Sequence, residues 1–283
     1  MEWRGRRGSG NIDDRRGMSG GAVGGIGLVG TLAILAVGYF FGIDISPIVA
    51  GMEQQSQQTE GPVELTPEQK QEGEFMSVVL GSTEQVWDQI FKTQLNETYT
   101  PPVLVLYSGM TQSGCGGASA MMGPFYCPVD KKLYLDTDFF KTMRDKMGAG
   151  GDFAAAYVVA HEVGHHVQDL MGTLNKWNAV RQRASEQDSN AISVLIELQA
   201  DCYAGVWGNH EQQNFQSLTE QDVRDAVNAA AAVGDDTLQK AAGRSVNVDS
   251  FTHGSAAQRQ EWFMRGFKSG EVGQCDTFKA AGL

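Results

Sequence analysis

From Gly21 to Ile43 the chain runs for 23 residues without one charged side chain. As a helix rising about 1.5 Å per residue, that run reaches about 35 Å, enough to cross a hydrocarbon core of about 30 Å with some tilt. Whatever folds as a domain must then lie to one side of it. Its seven glycines would weaken a soluble helix but are common in membrane helices, and Tyr39, Phe40 and Phe41 suit an interfacial aromatic belt. The stretch exceeds the apolar region of a cleaved signal peptide, about 7 to 15 residues, and no small-x-small cleavage site follows it. Residues 21–43 are read as one transmembrane helix in contact with the lipid bilayer.

Charge on either side sets an orientation. Residues 1–16 hold five arginines against three acids, and after the run no basic residue occurs until Lys70. The positive-inside rule then puts residues 1–20 in the cytoplasm and everything after the span outside it. In a bacterial cell that is the periplasmic or extracellular face of the cytoplasmic membrane. From Asp44 onward 17 basic residues stand against 31 acidic ones, within a whole-chain charge of -12. No basic footprint remains for nucleic acid, which is not an expected partner.

Residues 44–73 are polar and Gln-rich, without sustained apolar period, and read as a tether. Residues 74–283 then form the folded domain. Val86, Trp87, Ile90, Phe91 and Leu95 share a helical face, 101–109 reads as a strand, and 123–136 reads as a hairpin around Pro128 to Lys131. Beyond that the pattern is helical, over about 138–147, 152–171, 174–212, 219–232 and 255–269. A small antiparallel sheet with several helices is an α+β domain.

The helix expected over 152–171 carries His161, Glu162 and His165, an H-E-x-x-H motif inside an apolar stretch. Residues four apart differ by about 40° around a helix, so both imidazoles can face one tetrahedral ion with Glu162 beside them. That fits Zn2+ and hydrolysis by an activated water. His166, about 140° from His161, is expected beside the site or at the surface rather than on the metal. A catalytic zinc usually takes three protein ligands. A third histidine at the end of the same helix is excluded, since Gln168 and Met171 stand where that longer motif needs glycine and histidine. Glu197 and Asp201, four apart on the next apolar helix, offer a metal ligand and an acceptor for the second ring nitrogen of a zinc histidine, His161. His210 and His253 are the rival ligands, and the structural alternative is that one acid faces solvent or pairs with an arginine such as Arg181.

H-E-x-x-H followed by E-x-x-A-D is similar to the gluzincin arrangement. The segments "HEVGHHVQ", "ELQADCYAGVW", "SGCGGA", "GPFYCP", "LYLD" and "THGSAAQRQEWFMRGF", behind one N-terminal span, resemble the bacterial neutral zinc metallopeptidase family over nearly the whole chain. The resemblance implies a zincin-like fold, minimal gluzincin in kind, with zinc on His161, His165 and Glu197, Glu162 as catalytic base, and a peptide or protein as substrate. His253, just before a helix, is a candidate donor to the oxyanion. Cys115, Cys127, Cys202 and Cys275 are even in number and lie on the outward side. Cys115 could pair with Cys127 and Cys202 with Cys275, free buried thiols being the alternative. The competing function is a membrane-tethered, zinc-containing binding or scaffold protein without peptidase activity. Glu162 argues against it, because a purely structural site needs ligands but no base.

Overall fold

The computed structural model describes residues 1–17, 64–119 and 123–283. The 21–43 run and residues 44–63 of the expected tether lie outside the described residues. Among those described, no helix is long and apolar enough to cross a membrane.

In chain order the elements are β1 (Ile12–Asp14), α1 (Pro67–Ile90, continued by a π-helical turn Phe91–Leu95), β2 (Val103–Tyr107), β3 (Met110–Ser113), β4 (Gly116–Ser119), β5 (Phe125–Cys127) and β6 (Lys132–Asp136). The helices α2 (Asp138–Met147), α3 (Asp152–Leu170), α4 (Thr173–Arg181), α5 (Glu186–Phe215), α6 (Glu220–Ala232), α7 (Asp235–Ala241), α8 (Ala256–Ser269) and α9 (Thr277–Ala280) follow. α1 begins at Pro67, inside the 44–73 stretch expected as a tether. Thr66 accepts the Gln69 N–H while the Gln69 side chain accepts the Thr66 N–H, and Pro67 occupies the first turn, so three local signals start α1 there. The stretch expected as one helix over 174–212 is two, because Ser185 caps a new N-terminus by accepting the Asp188 N–H.

The hairpin expected over 123–136 is β5 with β6, and a second antiparallel hairpin, β3–β4, stands where no strand was expected. The main sheet, in order β1-β2-β6-β5, is nonetheless mixed, since β1 and β2 and then β2 and β6 pair in parallel. Its β5 edge faces the helices. Cys115 is bonded to Cys127 and Cys202 to Cys275, and no cysteine is left free. The first bridge ties the β3–β4 hairpin to edge strand β5. The second ties the C-terminal segment to α5.

Residues 1–17, expected as a separate cytoplasmic segment, are instead part of this domain. β1 pairs with β2, Trp3 is buried and donates its indole N–H to Asp152 at the start of α3, and Arg6 is bonded to the fully buried Glu211 of α5. Arg16 is buried too, bonded to Asp14 and to the Gln69 carbonyl in α1. Hydrogen-bonded strands cannot stand on opposite faces of a bilayer. In this fold residues 1–17 and the domain therefore share one side of any membrane.

Three glycines set how closely the helices approach. A Cβ on Gly164 in α3 would come 3.0 Å from the Ala200 carbonyl oxygen of α5. On Gly205 of α5 or Gly266 of α8 it would collide with the backbone of the other helix. Without side chains at these points, α3, α5 and α8 draw close enough for their polar residues to meet in an otherwise apolar core.

Candidate metal centre

The first motif lies on α3 and the second on α5, and the contact at Gly164 brings them face to face. One ligand atom from each of His161, His165 and Glu197 lies within 4.8 Å of the others. His161 Nε2 is 3.1 Å from Glu197 Oε2, and His165 Nε2 is 3.4 Å from Glu197 Oε1. Of the sequence candidates for the third ligand, Glu197 is the one that meets the two histidines. His210 points elsewhere, bonding the Gly270 carbonyl at 2.9 Å. His253 lines the same cleft but is not in the cluster.

The outer ring nitrogens are fixed. His161 Nδ1 donates to Asp201 Oδ1 at 2.8 Å and His165 Nδ1 donates to Gln168 Oε1 at 2.9 Å, so both rings turn Nε2 toward Glu197. Asp201 is held in turn by Arg259 through both carboxylate oxygens, at 2.8 and 3.0 Å, and by the Tyr157 hydroxyl at 2.5 Å. The Gln168 amide cannot flip, because its NH₂ donates to the Ile196 carbonyl and to Gln199 Oε1. These partners of the ligands were only half visible beforehand: Asp201 was expected, whereas Gln168, Tyr157 and Arg259 were not assigned. Of the alternatives for the two acids, pairing with an arginine holds for Asp201, whose partner is Arg259 and not Arg181, while Glu197 faces the two histidines.

Electrostatics call for positive charge at this point. Burial works against a charge on His161, but Asp201 and Glu197 on either side outweigh it and raise its pKa to about 10. Burial of Glu197 is likewise outweighed by the two histidines, which hold its carboxyl well below the usual range. Asp201 is depressed to about 2, Arg259 and His161 overcoming its desolvation. Glu162 differs, because its burial dominates and raises its pKa, and its Oε2 is buried without a hydrogen-bond partner. Two imidazoles, one ionised carboxylate and an adjacent unsatisfied carboxyl oxygen form a donor set that fits zinc and a water.

The cluster opens into a cleft of about 440 Å³, walled by β5 with the Gly123 and Pro124 before it, by α4, and by the loop before α8. His253 stands in that loop, half exposed, with Nδ1 3.4 Å from Asp235 Oδ1. Asp235 also accepts the backbone N–H groups of Thr252, His253 and Gly254, which fixes the loop. His166 is not at the surface. It is buried behind the site, 3.1 Å from the Tyr126 hydroxyl and donating to the Thr100 carbonyl, with its pKa pushed down by burial.

Two histidines and a glutamate on crossed helices, beside a buried glutamate in an open cleft, define the class of zinc metallopeptidases. The comparison with known families agrees: residues 1–278 match the profile described as "Putative neutral zinc metallopeptidase". The chain belongs to that family. It is 46% identical over 288 residues to "Uncharacterized protein YpfJ" of Escherichia coli (strain K12), covering 98% of this chain and 99% of the relative. It is 48% identical over 195 residues to "Uncharacterized protein Rv2575" of Mycobacterium tuberculosis (strain ATCC 25618 / H37Rv), covering 65% of each. No solved structure matches.

Proposed function

We propose that the protein hydrolyses peptide bonds, with Glu162 as general base, His161, His165 and Glu197 holding the zinc, and His253 acting on the developing oxyanion. The observation that carries this reading is Glu162 Oε2, buried and unpartnered next to the ligand cluster in an open cleft. A bound zinc ion would supply Lewis acidity to a water and to the substrate carbonyl. Glu162 takes the proton of the attacking water at Oε2 and then delivers it to the leaving amine nitrogen. Asp201, clamped by Arg259, keeps His161 in one tautomer, and Gln168 does the same for His165. The free edge of β5 is available to an extended peptide by strand addition. Two disulfides favour an oxidising compartment outside the cytoplasm, with residues 21–43 as the segment that meets lipid.

The test is hydrolysis of a peptide library by the full chain, followed by mass spectrometry, with zinc content measured on the same samples. Glu162→Gln is expected to retain zinc and lose hydrolysis, whereas Glu197→Ala loses zinc. His253→Ala is expected to keep zinc while kcat and kcat/KM fall together by about 10²- to 10³-fold. Stoichiometric zinc at unchanged affinity in Glu197→Ala would remove Glu197 from the ligand set.

A further inference from the structure

Resting on the peptidase reading, we infer that the cleft selects a substrate bearing a carboxylate, bound by Arg181 at the C-terminal end of α4. Leu174, Asn178 and Arg181 are spaced four and three apart on α4, so one helical face presents an apolar residue, an amide and a guanidinium to the space in front of the zinc ligands. Opposite charges hold the other basic groups of this cleft. His161 and His165 face Glu197, Arg259 is clamped by Asp201, and His253 is paired with Asp235. Arg181 has no acidic partner among the described residues. Its Nη1 donates to Asn178 Oδ1 at 3.2 Å and its Nε reaches Ser189 Oγ at 3.4 Å, so neutral acceptors aim the fork without neutralising it.

A guanidinium held by neutral neighbours in a walled cleft is built to receive a planar anion with two oxygens. On a peptide that anion is an aspartate or glutamate side chain or the C-terminal carboxylate. Phe125, Phe139 and Ile196 line the same cleft, so the carboxylate would be read beside an apolar residue.

The experiment measures binding, which does not depend on turnover. Zinc-loaded full-length Glu162→Gln protein is titrated with fluorescent peptides in two matched pairs: one internal glutamate against glutamine with both C-termini amidated, and one neutral peptide with a free against an amidated C-terminus. In at least one pair the acidic member is expected to bind about 10- to 100-fold more tightly, and the pair that discriminates identifies the source of the carboxylate. Adding Arg181→Met should erase that preference without changing zinc content. Arg181→Glu should invert it toward a lysine-bearing peptide. Equal affinities within both pairs, a preference that survives Arg181→Met, or no binding of any peptide would overturn the inference. Hydrolysis by the wild-type protein is scored separately. Carboxylate preference without cleavage sinks the peptidase reading alone, and cleavage without preference sinks the role of Arg181 alone.

Discussion

Gln168 shows how a residue can be essential to a site while looking like a mismatch. In the sequence it stood only as the position that broke a longer histidine motif, yet its fully buried amide fixes the His165 ring and is itself locked by Ile196 and Gln199. Gln168→Leu fills similar volume but leaves His165 Nδ1 without an acceptor. Zinc affinity is expected to fall about 10- to 100-fold, read by competition with a chelator, with little change in fold by circular dichroism. Asp235 makes a prediction about pH. Burial would raise its pKa, but hydrogen bonds from His253 and the loop N–H groups overcome that and lower it. A carboxyl depressed in the folded state contributes stability above its unfolded pKa of about 3.9, and loses that contribution as pH falls through the lower folded value. In the metal-free protein, Asp235→Asn should therefore be less stable than wild type at pH 6, the difference closing below about pH 4. A pH-independent difference in urea unfolding would contradict the assignment.

At the scale of elements, what was legible was local. H-E-x-x-H and the Glu197–Asp201 pair declare themselves because residues four apart share a helix face, and 138–147 and the 123–136 hairpin follow from cap and turn residues. The crossing of those helices was not legible, since nothing in the spacing of Gly164 says which backbone it will meet. Its contact with Ala200 sets the distance between the histidines and Glu197. Gly164→Ala is thus expected to cost about 1–3 kcal/mol in stability and to weaken zinc binding as well, because the added methyl pushes apart the two helices that share the ligands. Gly164→Ala with native zinc affinity would mean that the crossing is set elsewhere. The start of α1 was missed for another reason. Thr66, Pro67 and Gln69 are a clear initiation signal, but the Gln-rich composition around them resembled a linker.

For the whole molecule, the hidden part was the N-terminal segment. A strand of three residues has no readable periodicity, its partner lies about ninety residues away, and the uncharged run beside it marks a boundary in any sequence-based reading. The fold instead has Trp3, Arg6, Ile12–Asp14 and Arg16 anchored on α3, α5, β2 and α1, and the family match likewise begins at residue 1. Single cysteines replacing Arg4 and Val248, both exposed, should therefore react equally with a membrane-impermeant maleimide in intact cells. Reaction at 248 alone would show that residues 1–17 are undocked in the cell.

The pairing of Arg6 with Glu211 also has a consequence in time. The two residues are 205 positions apart. At about 5 to 20 residues per second, a ribosome takes about 10 to 40 s to travel between them. The first segment to emerge is thus among the last to find its place, and throughout that interval Arg6 has no Glu211 to bind. The cellular machinery that handles a nascent chain meets residues 1–17 free of the domain.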